Sequence, residues 1–253
     1  MIRREAETFF AALRYFTRLP VPTWVGHSAE QLNRAARWFP AVGWIVGGIG
    51  AGVTLAAAQL WPLPVAVLLG MAATLFLTGA FHEDGLADAI DGLGGGSTRE
   101  DALSIMQDSR IGSYGALALG MALLLKFALL SALAVLPAST FAWILVAGHG
   151  VSRFAASALI RFLDYAREEG KAKPLATRLG WGELAFAALC GLAPCLLLPL
   201  PQVAVALALV ALVAWFAART FARRLGGYTG DCLGATQQLS ELAFYLGLAC
   251  ACF

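Results

Sequence analysis

Residues 39–81 read FPAVGWIVGGIGAGVTLAAAQLWPLPVAVLLGMAATLFLTGAF and contain no charged side chain. A helix needs about 20 apolar residues to cross a bilayer core of ~30 Å. The stretch is therefore long enough for two crossings, 39–59 and 63–81, with Trp61-Pro62-Leu63 as the break between them. Further apolar runs follow at 114–136, 138–160, 183–198, 203–218 and 239–253. A β-barrel would instead show alternating segments of ~10 residues, and none are present.

Composition agrees. Of 253 residues, 59% are hydrophobic and 13% charged, against roughly 25% charged in soluble domains, and the mean hydropathy is +0.72. A water-soluble fold of this size could not hide so much apolar surface, so lipid is the solvent. The expectation is an all-α, polytopic helical membrane protein with about seven transmembrane helices, forming a single integral domain over residues 1–253. Residues 1–38 form an N-terminal interfacial segment: Phe9, Phe10, Leu13 and Phe16 recur at helical spacing and predict a helix lying on the membrane. Residues 1–20 are charged throughout and lack the apolar core of a cleavable signal. Cys190, Cys195, Cys232, Cys250 and Cys252 show no metal-ligand spacing with histidines and predict neither a zinc site nor a disulfide framework. A net charge of +2 gives no basis for a nucleic-acid partner.

The connections alternate in character. Those near residues 61–63, 136–139 and 199–202 are uncharged, whereas 1–38, 82–113, 161–181 and 219–238 hold all of the 18 Lys and Arg except Lys126 and Arg153. Basic residues accumulate on the cytoplasmic side. This pattern predicts a multi-pass protein with a cytoplasmic N-terminus and a cytoplasmic polar face. A transporter would place its site near the midplane on broken helices, where this chain offers only Lys126 and His149. Both are expected to face the bundle interior.

The densest polar segment, residues 82–113, opens with HEDGLADAIDG. Asp84, Asp88 and Asp91 stand at i, i+4 and i+7, within about 60° of one another on a helix. Three carboxylates on one stripe repel unless a cation neutralises them. Hard oxygen ligands suit Mg²⁺, with Mn²⁺ as the alternative. Asp84 and Asp88 are thus candidate catalytic groups as well as metal ligands, with Asp91 and Asp108 as further ligands and His82 in acid–base support. Thr98 and Asp101 have the spacing of a capping box and predict a short helix. Arg110 offers a planar fork for phosphate, with Ser109 beside it, and Arg153 lies within a span where an unpaired charge is costly. In GGYTGDCLGA, glycines bracket Asp231, so that Gly230 and Asp231 are candidate substrate contacts.

The runs FHEDGLADAIDG, IMQDSRIGSYG and GGYTGDCLGA, with FTRLPVP and WFPAVGWIVGG before them, resemble the cobalamin synthase, or adenosylcobinamide-GDP ribazoletransferase, family over about residues 16–235. The resemblance implies Mg²⁺-dependent joining of α-ribazole, or its 5′-phosphate, to adenosylcobinamide-GDP with release of GMP, at the inner membrane. The acidic pattern is also similar to that of CDP-alcohol phosphotransferases. Their motif carries Ala-Arg after the first Asp-Gly, however, and here Ala87 is followed by Asp88. Whether the chain forms a homo-oligomer is left open.

Overall fold

A computed structural model describes residues 2–26, 29–167 and 179–250. Helix α1 (Ile2–Phe16) and α2 (Ala29–Ala35) lead through a 3-10 turn into α3 (Phe39–Ala57). There follow α4 (Leu63–Thr78), α5 (Phe81–Gly95), α6 (Arg99–Ile105), α7 (Ser113–Leu133), α8 (Ala138–Phe162), α9 (Trp181–Leu192), α10 (Leu200–Leu225) and α11 (Gly230–Cys250). The chain is an all-α polytopic membrane protein. Asn33–Ala57, α7, α8 and α10 are long and apolar enough to cross a bilayer, and α4 with α5 forms a pair bent by 84°.

That bend arises at two adjacent left-handed residues, Gly79 (φ 65°) and Ala80 (φ 57°). Ala80 N–H donates to Leu75 O across the end of α4, a Schellman-type closure. The run 63–81, expected as one span, therefore stops at Thr78, and α5 turns off nearly at right angles to α4. Gly-Ala looks like any apolar pair in sequence, which is why the corner is invisible there.

Two other expectations shift. The last span was expected at 239–253, but α11 begins at Gly230 and carries Gln237, Gln238 and Glu241 in its middle. It packs on α5, α7, α8 and α10 and is buried almost all round, so its polar groups meet protein rather than lipid. Helix α1 is amphipathic, yet Ala11, Ala12, Leu13 and Phe16 are buried against the bundle, with Phe16 edge-on to Phe39 and Phe81. Aromatic partners on α3 and α5 thus cover part of its apolar face.

The charged segments gather at one end of the bundle. Arg99 donates to Leu225 O and Ala166 O, and Arg224 donates to Gly96 O. Tyr165 and Tyr228 form a single parallel bridge. The capping box at α6 forms as expected, with Thr98 Oγ1 accepting from Asp101 N–H at 3.1 Å and Thr98 N–H donating back to Asp101 Oδ2 at 3.2 Å.

Candidate functional site

Helices α5 and α11 cross glycine on glycine. A β-carbon on Gly85 would meet the backbone of Asp231 and Gly234, and one on Gly234 would meet the backbone of His82 and Gly85. This close approach brings Asp231, in the first turn of α11, beside the acidic stripe of α5. Along that stripe exposure falls from Asp84, which is exposed, through half-buried Asp88 to buried Asp91. The Asp88 carboxyl is pushed up to about 7, by partial burial first and then by the charges of Asp84, Asp231 and Asp91, with Arg167 opposing. Asp84, Asp88 and Asp231 thus share one electrostatic neighbourhood at the polar end.

Asp91 is engaged differently. Its Oδ2 accepts from Gly112 N–H at 2.7 Å and its Oδ1 from Gly115 N–H at 2.8 Å. Gly112, the residue before α7, has no side chain with which to cap the helix, so a carboxylate from α5 satisfies the orphan amides and complements the helix dipole. Each of its oxygens accepts one backbone donor, so Asp91 ties α5 to the start of α7. Asp108 is bound by its own neighbour: Arg110 donates to it through Nη2 at 2.6 Å and Nε at 3.0 Å, and holds its carboxyl down at about 2. These two line an open cleft of about 450 Å³ together with Asp91, Gly112, Ser113 and Tyr114. Ser109 is exposed beside them.

His82 and Arg153 lie elsewhere. The His82 ring stacks on Phe16 with centroids 5.2 Å apart and 14° between planes. Arg153 is 2% exposed; its Nη1 donates to His149 O at 3.0 Å, and its Nε has no acceptor. Both line a narrow cavity of about 40 Å³ behind α5, walled also by Tyr15, Phe39 and Gln237. The expected site residues therefore divide into the patch of Asp84, Asp88 and Asp231, the cleft of Asp91, Asp108 and Arg110 with Ser109 exposed beside it, and the cavity that His82 and Arg153 share with Gly230.

Sequence reasoning missed two groups. Arg167, one of the basic residues of segment 161–181, pairs with Asp231 at 2.9 Å. Glu241 is the hub of a network inside the bundle. It meets Lys126 Nζ at 2.7 Å, accepts from Tyr245 OH at 3.0 Å and Gln237 Nε2 at 2.8 Å, and lies 3.5 Å from His149 Nδ1. Gln238 extends the network by donating to Gln237 Oε1 at 2.8 Å and to Glu83 Oε1 at 2.9 Å. A signal for it existed: cations at Lys126 and Arg153 within spans require an intramembrane acid.

Among the described residues no three Asp, Glu, His or Cys side chains converge closely enough to ligate one ion. The donor chemistry nevertheless fits a hard divalent cation. Asp84, Asp88 and Asp231 are neighbouring all-oxygen donors of the type that suits such an ion.

The cobalamin-5-phosphate synthase family model matches residues 8–249. Proteins named adenosylcobinamide-GDP ribazoletransferase are similar along nearly the whole chain. That of Ralstonia nicotianae is 52% identical over 95% of this chain and 94% of its own. That of Leptothrix cholodnii is 52% identical over 96% and 95%, and that of Shewanella amazonensis 51% over 97% and 96%. No solved structure matches. A match spanning both α5 and the turn into α11, the two elements that build the acidic patch, shows that the chain belongs to the cobalamin-5-phosphate synthase family.

Proposed function

We propose that the patch of Asp84, Asp88 and Asp231 is a phosphoryl-transfer site, at which this chain performs the reaction its relatives are named for. In it, α-ribazole or its 5′-phosphate is joined to adenosylcobinamide-GDP, and GMP is released. The observation that carries the reading is the glycine-on-glycine crossing of α5 and α11, which sets Asp231 beside the stripe of Asp84 and Asp88 at the polar end of a membrane bundle. Such a cluster is expensive unless it serves a cation.

The hard oxygens of these aspartates would hold Mg²⁺, or Mn²⁺, which when bound supplies charge neutralisation and polarisation of the phosphoryl oxygens. A ribazole hydroxyl oxygen bonds to the corrinoid-side phosphorus. The bond from that phosphorus to the diphosphate bridging oxygen breaks, and GMP leaves with the electron pair. The hydroxyl proton passes to Asp84 or Asp88. Arg110, at the mouth of the adjoining cleft beside the N-terminus of α7, offers donors for phosphate oxygens. His82, stacked on Phe16, ties α5 to α1 in this reading, and Arg153 lines the cavity beside it. The polar end, α1 included, faces the cytoplasm of a bacterial inner membrane, because the basic residues collect there.

The test is a reaction of purified full-length protein in nanodiscs with adenosylcobinamide-GDP and α-ribazole, with and without Mg²⁺, read by mass spectrometry. GMP and a corrinoid bearing the lower base should appear only with the metal. Undiminished turnover in excess chelator would overturn the cation assignment, and absence of the corrinoid product under every condition would overturn the activity.

A further inference from the structure

Arg167 lies where the segment after α8 runs beside the turn into α11. Its backbone neighbourhood is pinned from two sides. Ala166 N–H donates to Tyr228 O at 2.9 Å and Tyr228 N–H to Asp164 O at 2.9 Å. Arg99 Nη2 then donates to Ala166 O at 2.8 Å. The arginine is thus delivered to the acidic patch by a short strand-like bridge tied to the same turn that delivers Asp231.

Its side chain is only partly used. Nη2 donates to Asp231 Oδ2 at 2.9 Å, and the side chain is 14% exposed. Nε is buried and has no acceptor. A guanidinium carries five donors in a rigid fork, and the bond to Asp231 engages only Nη2. The joint between the two segments is already made by backbone hydrogen bonds, so the ion pair is not required to hold them together.

Charge makes the same point. A diphosphate approaching Asp84, Asp88 and Asp231 meets three carboxylates. Among the described residues Arg167 is the cation paired with an acid of that patch, whereas Arg110 is bound to Asp108 and Arg153 faces the cavity behind α5. We propose that Arg167 is a catalytic residue of this site, whose guanidinium contacts the diphosphate of a nucleoside-diphosphate donor while Asp231 holds it in place. This rests on the phosphoryl-transfer reading above. In the transfer step the phosphorus–oxygen bond to the leaving nucleoside monophosphate breaks with its electron pair on that oxygen, and Arg167 offsets the charge that gathers there. The planar fork can meet two phosphoryl oxygens at once, a geometry that a lysine ammonium does not reproduce.

The experiment compares wild type, Arg167→Ala, Arg167→Lys and Asp84→Asn as full-length protein in nanodiscs. KM for adenosylcobinamide-GDP, KM for α-ribazole and kcat are measured, together with calorimetric binding of GDP as a probe. Arg167→Ala should raise KM for the donor and Kd for GDP at least about tenfold, lower kcat, and leave KM for α-ribazole unchanged. Arg167→Lys should fall between, and it carries the test if the alanine variant does not fold. Wild-type GDP affinity and donor KM in both variants would overturn the assignment. Asp84→Asn separates the two levels: if it is inactive while the Arg167 variants are normal, only the arginine role falls, and if it is active, the phosphoryl-transfer site itself falls.

Discussion

Glu241 and Asp84 lie on two helices that cross, yet their carboxylates are treated in opposite ways. Glu241 is fully buried, and Lys126, Tyr245 and Gln237 all bind it within 3.0 Å. Asp84 is exposed and has no oppositely charged partner within ion-pair distance among the described residues; its close electrostatic neighbours include Asp88 and Asp231, both acids. Inside a bilayer an unpaired charge is so costly that each one must find its complement before the helices can pack. At the membrane face water screens the charge, and a cluster of like charges survives at a modest cost that a ligand can relieve. The first region holds the fold together, while the second stores an unmet demand for a cation. Substitutions in the two should therefore separate stability from activity.

The largest effect belongs to the acidic face. Asp84→Asn or Asp88→Asn should lower turnover by about 10³-fold or more, the range for removing a group that neutralises charge in a phosphoryl-transfer transition state. Thermal midpoint and nanodisc incorporation should stay at wild-type values, or rise slightly as repulsion is relieved. A variant with near-normal turnover and a lowered midpoint would make this face structural and erase the contrast.

The interior should respond in the reverse sense. Glu241→Ala leaves Lys126 buried without its carboxylate, a change of roughly 3–5 kcal/mol in other buried pairs. It should appear as a steep loss of melting temperature and of extractable folded protein. The double variant Glu241→Leu with Lys126→Met removes both charges and should recover most of that stability. Failure of the double variant to recover would mean that Tyr245 and Gln237, left without their acceptor, dominate the energetics instead of the ion pair.

How far the sequence discloses each region follows from the same physics. Spans such as α3 and α7 are legible because lipid contact forces continuous apolar composition. The stripe of Asp84 and Asp88 is legible because helical periodicity is local. Helix α11 is misplaced in sequence because protein surrounds it, so that Gln237, Gln238 and Glu241 look like a loop until their partners on α5, α7 and α8 are known. Arg167 and the corner at Gly79-Ala80 are hidden for a related reason. The first depends on a contact 64 residues away, and the second on a backbone conformation that an ordinary Gly-Ala pair does not advertise.

Asp91 stands on the border between the two regions and offers the finest test of where it lies. It belongs to the stripe by sequence spacing, but its oxygens accept from Gly112 and Gly115 at the start of α7, as a buried structural acid would. Asp91→Asn keeps one carbonyl acceptor and replaces the other oxygen with an amide that cannot accept, so one of the two backbone donors loses its partner and the helix N-terminus loses an anion. Together these changes are worth about 1–3 kcal/mol. If Asp91 is an anchor, the melting temperature should fall by a few degrees while the Mg²⁺ concentration for half-maximal turnover stays within about twofold of wild type. If it is a ligand, the metal requirement should rise at least about tenfold with little change in melting temperature, as for loss of a group that orients or holds the metal. Measuring both quantities on the one variant decides whether the border between anchor and active face falls before or after the third aspartate of the stripe.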